Sequence, residues 1–206
     1  MIRSTVNASF RAKLALFMLV AVTVLSGCGN SEKVANQTDK AFVQAMIPHH
    51  QMAVAAGLDE FANGKDKKLR TYGQTIANVQ MAEIGDLLKI SKRIGAPVDA
   101  QYTLLPQTSK SGAVDHVMMD AVTTKAIAAL GLTTSEAGMA DHSMMGAGSA
   151  DSRFVAMMIP HHEGAVRMAK VEIAKGGDAD LIAIARSIVT NQTREIGELK
   201  TLEPQN

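Results

Sequence analysis

Cysteine is almost missing from this chain of 206 residues: Cys28 stands alone, so neither an intrachain disulfide nor a thiolate cluster can form. An excess of positive charge is missing too, with 21 Lys and Arg against 20 Asp and Glu. That balance argues against nucleic acid as a partner, because phosphate recognition asks for a basic face. The apolar run near the amino terminus, residues 14–25, falls short of the roughly 20 residues needed to cross a bilayer. No Glu-x-x-His tetrapeptide occurs, which removes the ligand pattern of a bundle-bound di-iron centre.

What the amino terminus does carry is the layout of an export signal. Arg3, Arg11 and Lys13 precede the apolar run, and Leu25, Ser26 and Gly27 lead into Cys28 as in a lipoprotein box. We expect a signal peptide over residues 1–27, cleavage, and a lipid on Cys28 that ties the protein to a membrane. A short membrane anchor left in place is the alternative. Cleavage takes three positive charges from the formal net charge of +1 and leaves −2. Gly29 after Cys28 resembles lipoproteins sent to an outer membrane, where the cell has one. The polar residues 28–38 read as a tether, and the expected location is periplasm-facing or on the cell surface.

The rest of the chain contains itself twice. At an offset of 112 residues, Asp39 to Leu87 matches Asp151 to Leu199 without a gap. DKAFVQAMIPHHQMAV faces DSRFVAMMIPHHEGAV, and QMAEIGDL faces QTREIGEL. Each copy reads as a helical hairpin, residues 39–94 and 151–206, with Asp39 and Asp151 as N-caps. Gly64 and Gly176 end the first helices, and Asp66 and Asp178 cap the second ones. Two hairpins with apolar stripes bury them against each other, which predicts an all-α fold: a ferritin-like four-helix bundle with a long crossover over residues 95–150. Connections of that length are usually functional or disordered.

The second helices carry a seam at steps of three and four: Leu69, Gly73, Ile76, Gln80, Glu83, Leu87, Ile90, Ile94, matched by Leu181, Ala185, Ile188, Gln192, Glu195, Leu199. Gln80, Glu83, Gln192 and Glu195 are thus aimed where leucine is aimed. On the first helix, the rows Phe42, Met46, His49, Ala53, Ala56, Glu60 and Val43, Ile47, His50, Val54, Gly57, Phe61 turn both histidines toward the packed side. Burying such groups costs several kcal/mol unless they are satisfied. One solution is a structural network in which each Glu accepts from a His across the bundle and Gln fills the remaining bonds. The other is a metal held by His nitrogen and Met sulfur, with Gln80, Glu83, Gln192 and Glu195 behind the ligands. Pro48 and Pro160 leave the carbonyls of Gln44 and Ala156 without helical partners. Either a helix begins at each proline, or a kink there re-aims the His pair into the core.

Methionine follows histidine throughout. His49 and His50 lie near Met46 and Met52, and His161 and His162 near Met157 and Met158. His116 lies near Met118 and Met119, and His142 near Met139, Met144 and Met145. Met81 and Met168 read as core filler, whereas the Gly- and Ser-rich surroundings of Met139 to Met145 look unsuited to a core. Thioether with imidazole selects copper, above all Cu(I), and silver as its mimic. Outside the cytoplasm, methionine keeps the softness of cysteine without a thiol to oxidise.

FVQAMIPHHQMAV with QMAEIGDL, and FVAMMIPHHEGAVRMA with NQTREIGEL, resemble the two halves of the domain of unknown function 305 family. The resemblance implies a ferritin-like bundle outside the cytoplasm, with copper binding and tolerance in characterised members. It implies Met46, His49, His50, Met158, His161 and His162 as metal ligands. Met52, Met157, His116, Met118, Met119, Met139, His142, Met144 and Met145 are possible additional ones. Gly164 stands where the first copy has Met52, so the copies are unequal.

Three functions compete at this level. The first is a lipid-anchored copper protein, not an enzyme, that buffers or passes the ion to envelope copper-handling partners. The second is an envelope interaction module whose His/Glu core is structural. The third, a copper or iron oxidase, needs an open, carboxylate-rich or multi-His centre that two separated His pairs support poorly.

Overall fold

The structure, a computed structural model, describes residues 34–103, 119–139 and 148–202. The expected signal peptide, Cys28 with its lipid, and His116, Met118, His142, Met144 and Met145 lie outside the described residues. The described residues form five α-helices, α1 (Gln37–Asn63), α2 (Lys67–Ile94), α3 (Ala121–Ala129), α4 (Ala150–Lys175) and α5 (Ala179–Leu202), with a 3₁₀ turn at Ala100–Thr103. The fold is all-helical among the described residues. α1 packs along α2 and α4 along α5, each pair a helical hairpin.

Local chemistry sets the helix ends. Gly64 and Gly176 follow α1 and α4, and Asp66 and Asp178 accept backbone N–H groups at the starts of α2 and α5. The starts of α1 and α4 differ from expectation. Asn36 caps α1, accepting from the N–H groups of Thr38 and Asp39, and Ser149 caps α4, accepting from the Ser152 N–H. Asp39 and Asp151 sit inside the first turns and work at longer range. Asp39 accepts from the N–H groups of Gly177 and Asp178, just past the end of α4. Asp151 accepts from those of Lys65 and Asp66, just past the end of α1. The two hairpins therefore clasp each other reciprocally, and α1 and α4 run antiparallel. Hydrogen bonds to a charged acceptor are worth about 1.5–3 kcal/mol each.

α1 is buried on nearly every side, since α2, α4 and α3 all pack on it; Phe61, at 38% exposure, is the exception in its two apolar rows. α2 and α5 bury one stripe and turn the other face to solvent. Pro48 and Pro160 lie inside α1 and α4, so no helix begins at either proline.

The core forms two clusters. One gathers Phe42, Val43, Met46 and Ile47 of α1 with Ala165, Met168 and Ala169 of α4 and Leu181, Ala185 and Ile188 of α5. The other gathers Phe154, Val155, Met157 and Met158 of α4 with Ala53, Ala56, Leu69, Ile76 and Leu199. The connection contributes to the first: Tyr102, Ile127, Leu130, Ala137 and Met139 are all buried there. This corrects the reading for Met139; His142, Met144 and Met145 of the same stretch lie outside the described residues. Met139 is fully buried despite its Gly-rich neighbours.

Candidate functional site

The register of α1 and α4 brings all four histidines of the repeat to one place between the two apolar clusters. His49, His50, His161 and His162 are all fully buried. The rings of His49 and His161 stack at 3.6 Å between centroids with 30° between planes. His50 lies 6.2 Å from His49, and His162 6.2 Å from His161. The two pairs thus form a single cluster.

Each Nε2 has a partner. His49 Nε2 lies 3.0 Å from the Ala137 carbonyl oxygen and His161 Nε2 3.0 Å from that of His49. His50 Nε2 lies 2.8 Å from Glu83 Oε2, and His162 Nε2 2.9 Å from Glu195 Oε2. A carbonyl oxygen only accepts, so Nε2 of His49 and of His161 carries the hydrogen. Burial pushes both rings well below the ordinary imidazole range, and the neighbouring histidines push the same way. Both rings are neutral at physiological pH, and their Nδ1 atoms hold lone pairs. None of the four Nδ1 atoms has a hydrogen-bond partner among the described residues.

This decides how well a structural network accounts for the core. Each Glu does accept from a His, but within its own hairpin rather than across the bundle. Gln80 and Gln192 do not complete the bonding: both are buried, and neither their amide oxygens nor their nitrogens find partners among the described residues. They line, with Ile76, Val79, Glu83, Asn191 and Glu195, a cavity of about 10 Å³ between α2 and α5, roughly the room of one water. Unpartnered buried nitrogens at four equivalent ring positions are costly. They are also what metal ligands look like when the other ring nitrogen is fixed by a carbonyl or carboxylate.

The remaining sequence candidates are distributed unevenly. Met46 and Met158, one turn before the His pairs, are fully buried, the first in one apolar cluster and the second in the other. Met157 is buried beside Met158, while Met52 and Met119 are partly buried against the first cluster. Among the described residues, no group of three or more His, Cys, Asp or Glu side chains is arranged to hold a metal ion. An ion at this cluster therefore calls on thioethers, or on a turn of the rings.

Sequence reasoning missed two carboxyl pairs at the ends of the bundle. Burial, and then the nearby Asp151, raise Glu60 to about 8. Burial and Asp39 likewise raise Glu172 to about 9. Neither oxygen of either Glu forms a hydrogen bond of good geometry among the described residues, so burial and proximity carry these shifts. Burial also works against Asp39, yet the N–H groups it accepts outweigh that and hold its carboxyl below the usual range. The signal was available: Glu60 and Glu172 are matched across the repeat and stand in rows that are apolar apart from His49 and His161.

Residues 39–203 match the family described as Domain of unknown function (DUF305). The chain belongs to that family. No curated protein matches it. Among solved structures, a DUF305 protein of Streptomyces coelicolor superposes with a TM-score of 0.62 at 21% identity, over 80% of this chain and 91% of that one. CopM in its Ag-bound form gives 0.55 at 21% identity, over 79% and 93%. CopM in its Cu(I)-bound form gives 0.53 at 21% identity, over the same shares. At these identities the likeness establishes a shared DUF305 helical fold. Among the described residues of this DUF305 chain, no helix is long and apolar enough to cross a membrane.

Proposed function

We propose that this DUF305 protein is an exported, lipid-anchored copper-binding protein that holds Cu(I), or Ag(I) in its place, for buffering or transfer, and is not an enzyme. The observation that carries the reading is the set of four buried, unpartnered Nδ1 atoms with Nε2 already engaged. His49, His50, His161 and His162 would hold the ion through Nδ1 after a turn of the rings, since as they stand no three of them are arranged around one point. Met46 and Met158 would supply thioether sulfur, the softness that favours Cu(I) over Zn(II). Glu83 and Glu195 fix the rings of His50 and His162 from behind. Burial keeps His49 and His161 free of a second proton, so an ion has no proton to displace from them at neutral pH. Support for copper also comes from CopM, whose Ag- and Cu(I)-bound forms share the fold. Support for export comes from residues 1–28 and from the Streptomyces coelicolor relative, which is named as a secreted protein.

The experiment is a Cu(I) titration against a competing chelator, run in parallel with Zn(II), on the native protein and on a variant carrying His49→Ala and His161→Ala. Tight Cu(I) binding that weakens at least 100-fold in the variant is the expected result. Equal binding by the two proteins would sink the proposal and leave the His/Glu core as a structural element of an interaction module.

A further inference from the structure

The two hairpins are related by repeat, yet the histidine cluster is not symmetric. His161 donates Nε2–H to the carbonyl of His49. A symmetric partner bond would run from His49 to the carbonyl of His161, and it does not form. Instead His49 donates to the carbonyl of Ala137, a residue of the connection.

A tight turn after α3 delivers that carbonyl. Gly131, with φ of 78°, ends the helix. Thr133 and Glu136 then cap each other: Glu136 Oε2 accepts from the Thr133 N–H and hydroxyl, and Thr133 Oγ1 accepts from the Glu136 N–H. Arg167 of α4 donates to the Glu136 carbonyl at 3.0 Å. Gly138, with φ of 71°, lies flat on α4, where a Cβ would come within 2.5 Å of the Pro160 carbonyl oxygen and 2.8 Å of the His161 Cα. The turn fits because residue 164 is glycine: a Cβ there would overlap the Ala137 carbonyl and stand 2.6 Å from the Gly138 nitrogen. The equivalent position in the first copy is Met52.

We infer that the Thr133–Met139 turn is a positioning element of the histidine site: it supplies, through the Ala137 carbonyl, the acceptor that repeat symmetry would have taken from His161, and so holds His49 with Nδ1 free to bind an ion. Gly164 and Arg167 are the residues that seat it. The metal half of this inference rests on the copper reading above; the tautomer half does not.

The test uses the full-length protein and reads ring protonation by ¹⁵N NMR of the histidine side chains, without metal. Native protein should show His49 as the Nε2–H tautomer alone. Gly164→Ala should unseat the turn and give His49 a mixture of tautomers. Arg167→Ala, which removes a half-exposed side chain and leaves the core intact, should do so more weakly, and it serves if Gly164→Ala does not fold. Gly85→Ala, at a site with nothing near the added carbon, should leave the spectrum unchanged. In Ag(I) competition, Gly164→Ala should lose about tenfold or more in affinity, as loss of an orienting partner usually does. Folded variants of Gly164 and Arg167 with the native His49 tautomer would overturn the inference. If the native protein bound no Cu(I) or Ag(I), the copper reading would fall while the tautomer result still judged the turn.

Discussion

The two hairpins of this chain answer the same sequence pattern with the same structure wherever only the hairpins are involved, and diverge where the connection reaches in. His50 with Glu83 and His162 with Glu195 make nearly the same bond at 2.8 and 2.9 Å. Asp39 and Asp151 each clasp the other hairpin's loop. Glu60 and Glu172 are both pushed up by burial. By contrast, His49 and His161 donate to different carbonyls, those of Ala137 and His49, and Met52 and Gly164 face different surroundings. Duplication supplies a symmetric frame, and a single turn makes the site within it directional.

The largest effect on stability should come from the clasps. Asp39 accepts from three backbone N–H groups, those of Asn36, Gly177 and Asp178, whereas Asp151 accepts from two of the facing loop. Asp39→Ala should cost about 3 kcal/mol or more and Asp151→Ala about 2 kcal/mol, because each leaves backbone donors without a charged acceptor. Urea unfolding of the two variants measures the difference. Equal losses would mean that the copies are energetically symmetric at their ends.

These aspartates also show where sequence reasoning stops. The seam of α2 and α5 was legible because burial imposes a helical period, and the gap-free repeat at offset 112 confirmed it. The His and Met candidates of α1 and α4 were legible for the same reason. Asp39 and Asp151 were mistaken for the N-caps because a first-turn acid satisfies local helix chemistry equally well; Asp39 does accept the Asn36 N–H, but the loop N–H groups that both aspartates accept are over 80 residues away. Met139 was misread because local Gly and Ser content says nothing about a groove on another helix. Gly164 stood out as a break in the repeat, but its reason is a turn that only the folded chain brings to it.

A smaller effect should appear in the pH dependence, and its sign differs between the middle and the ends of the bundle. Burial holds His49 and His161 well below the ordinary imidazole value of about 6.5, so the folded state binds fewer protons than the unfolded one and stability falls as pH drops below about 6.5. Burial holds Glu60 and Glu172 above the ordinary carboxyl value of about 4.5, so their contribution is full below that pH and is lost as pH rises to about 8 and about 9. Between about 4.5 and 6.5 the two slopes oppose each other, giving a nearly level region. Above it only the glutamates act, and the melting temperature should decline. Glu60→Gln should remove the part of the decline that ends near pH 8, and Glu172→Gln the part that continues to about 9. A native melting temperature that stays level from pH 6.5 to 9 would contradict this account.

The smallest effect tests the comparison where it should show no difference. Gly85 and Gly197 are repeat equivalents within α2 and α5, and a Cβ at either meets nothing within 4 Å. Replacing a helical glycine by alanine reduces the freedom of the unfolded chain and stabilises by about 0.5–1 kcal/mol where the site is open. Gly85→Ala and Gly197→Ala should therefore raise stability by the same small amount, read as equal shifts in the urea midpoint. The same change at Gly164 should have the opposite sign, since there the added carbon meets the Ala137 carbonyl instead of solvent. One substitution made at three helical positions thus separates what the repeat dictates from what the connection imposes: equal gains at Gly85 and Gly197 show the common frame, and a loss at Gly164 locates the turn as the source of the asymmetry.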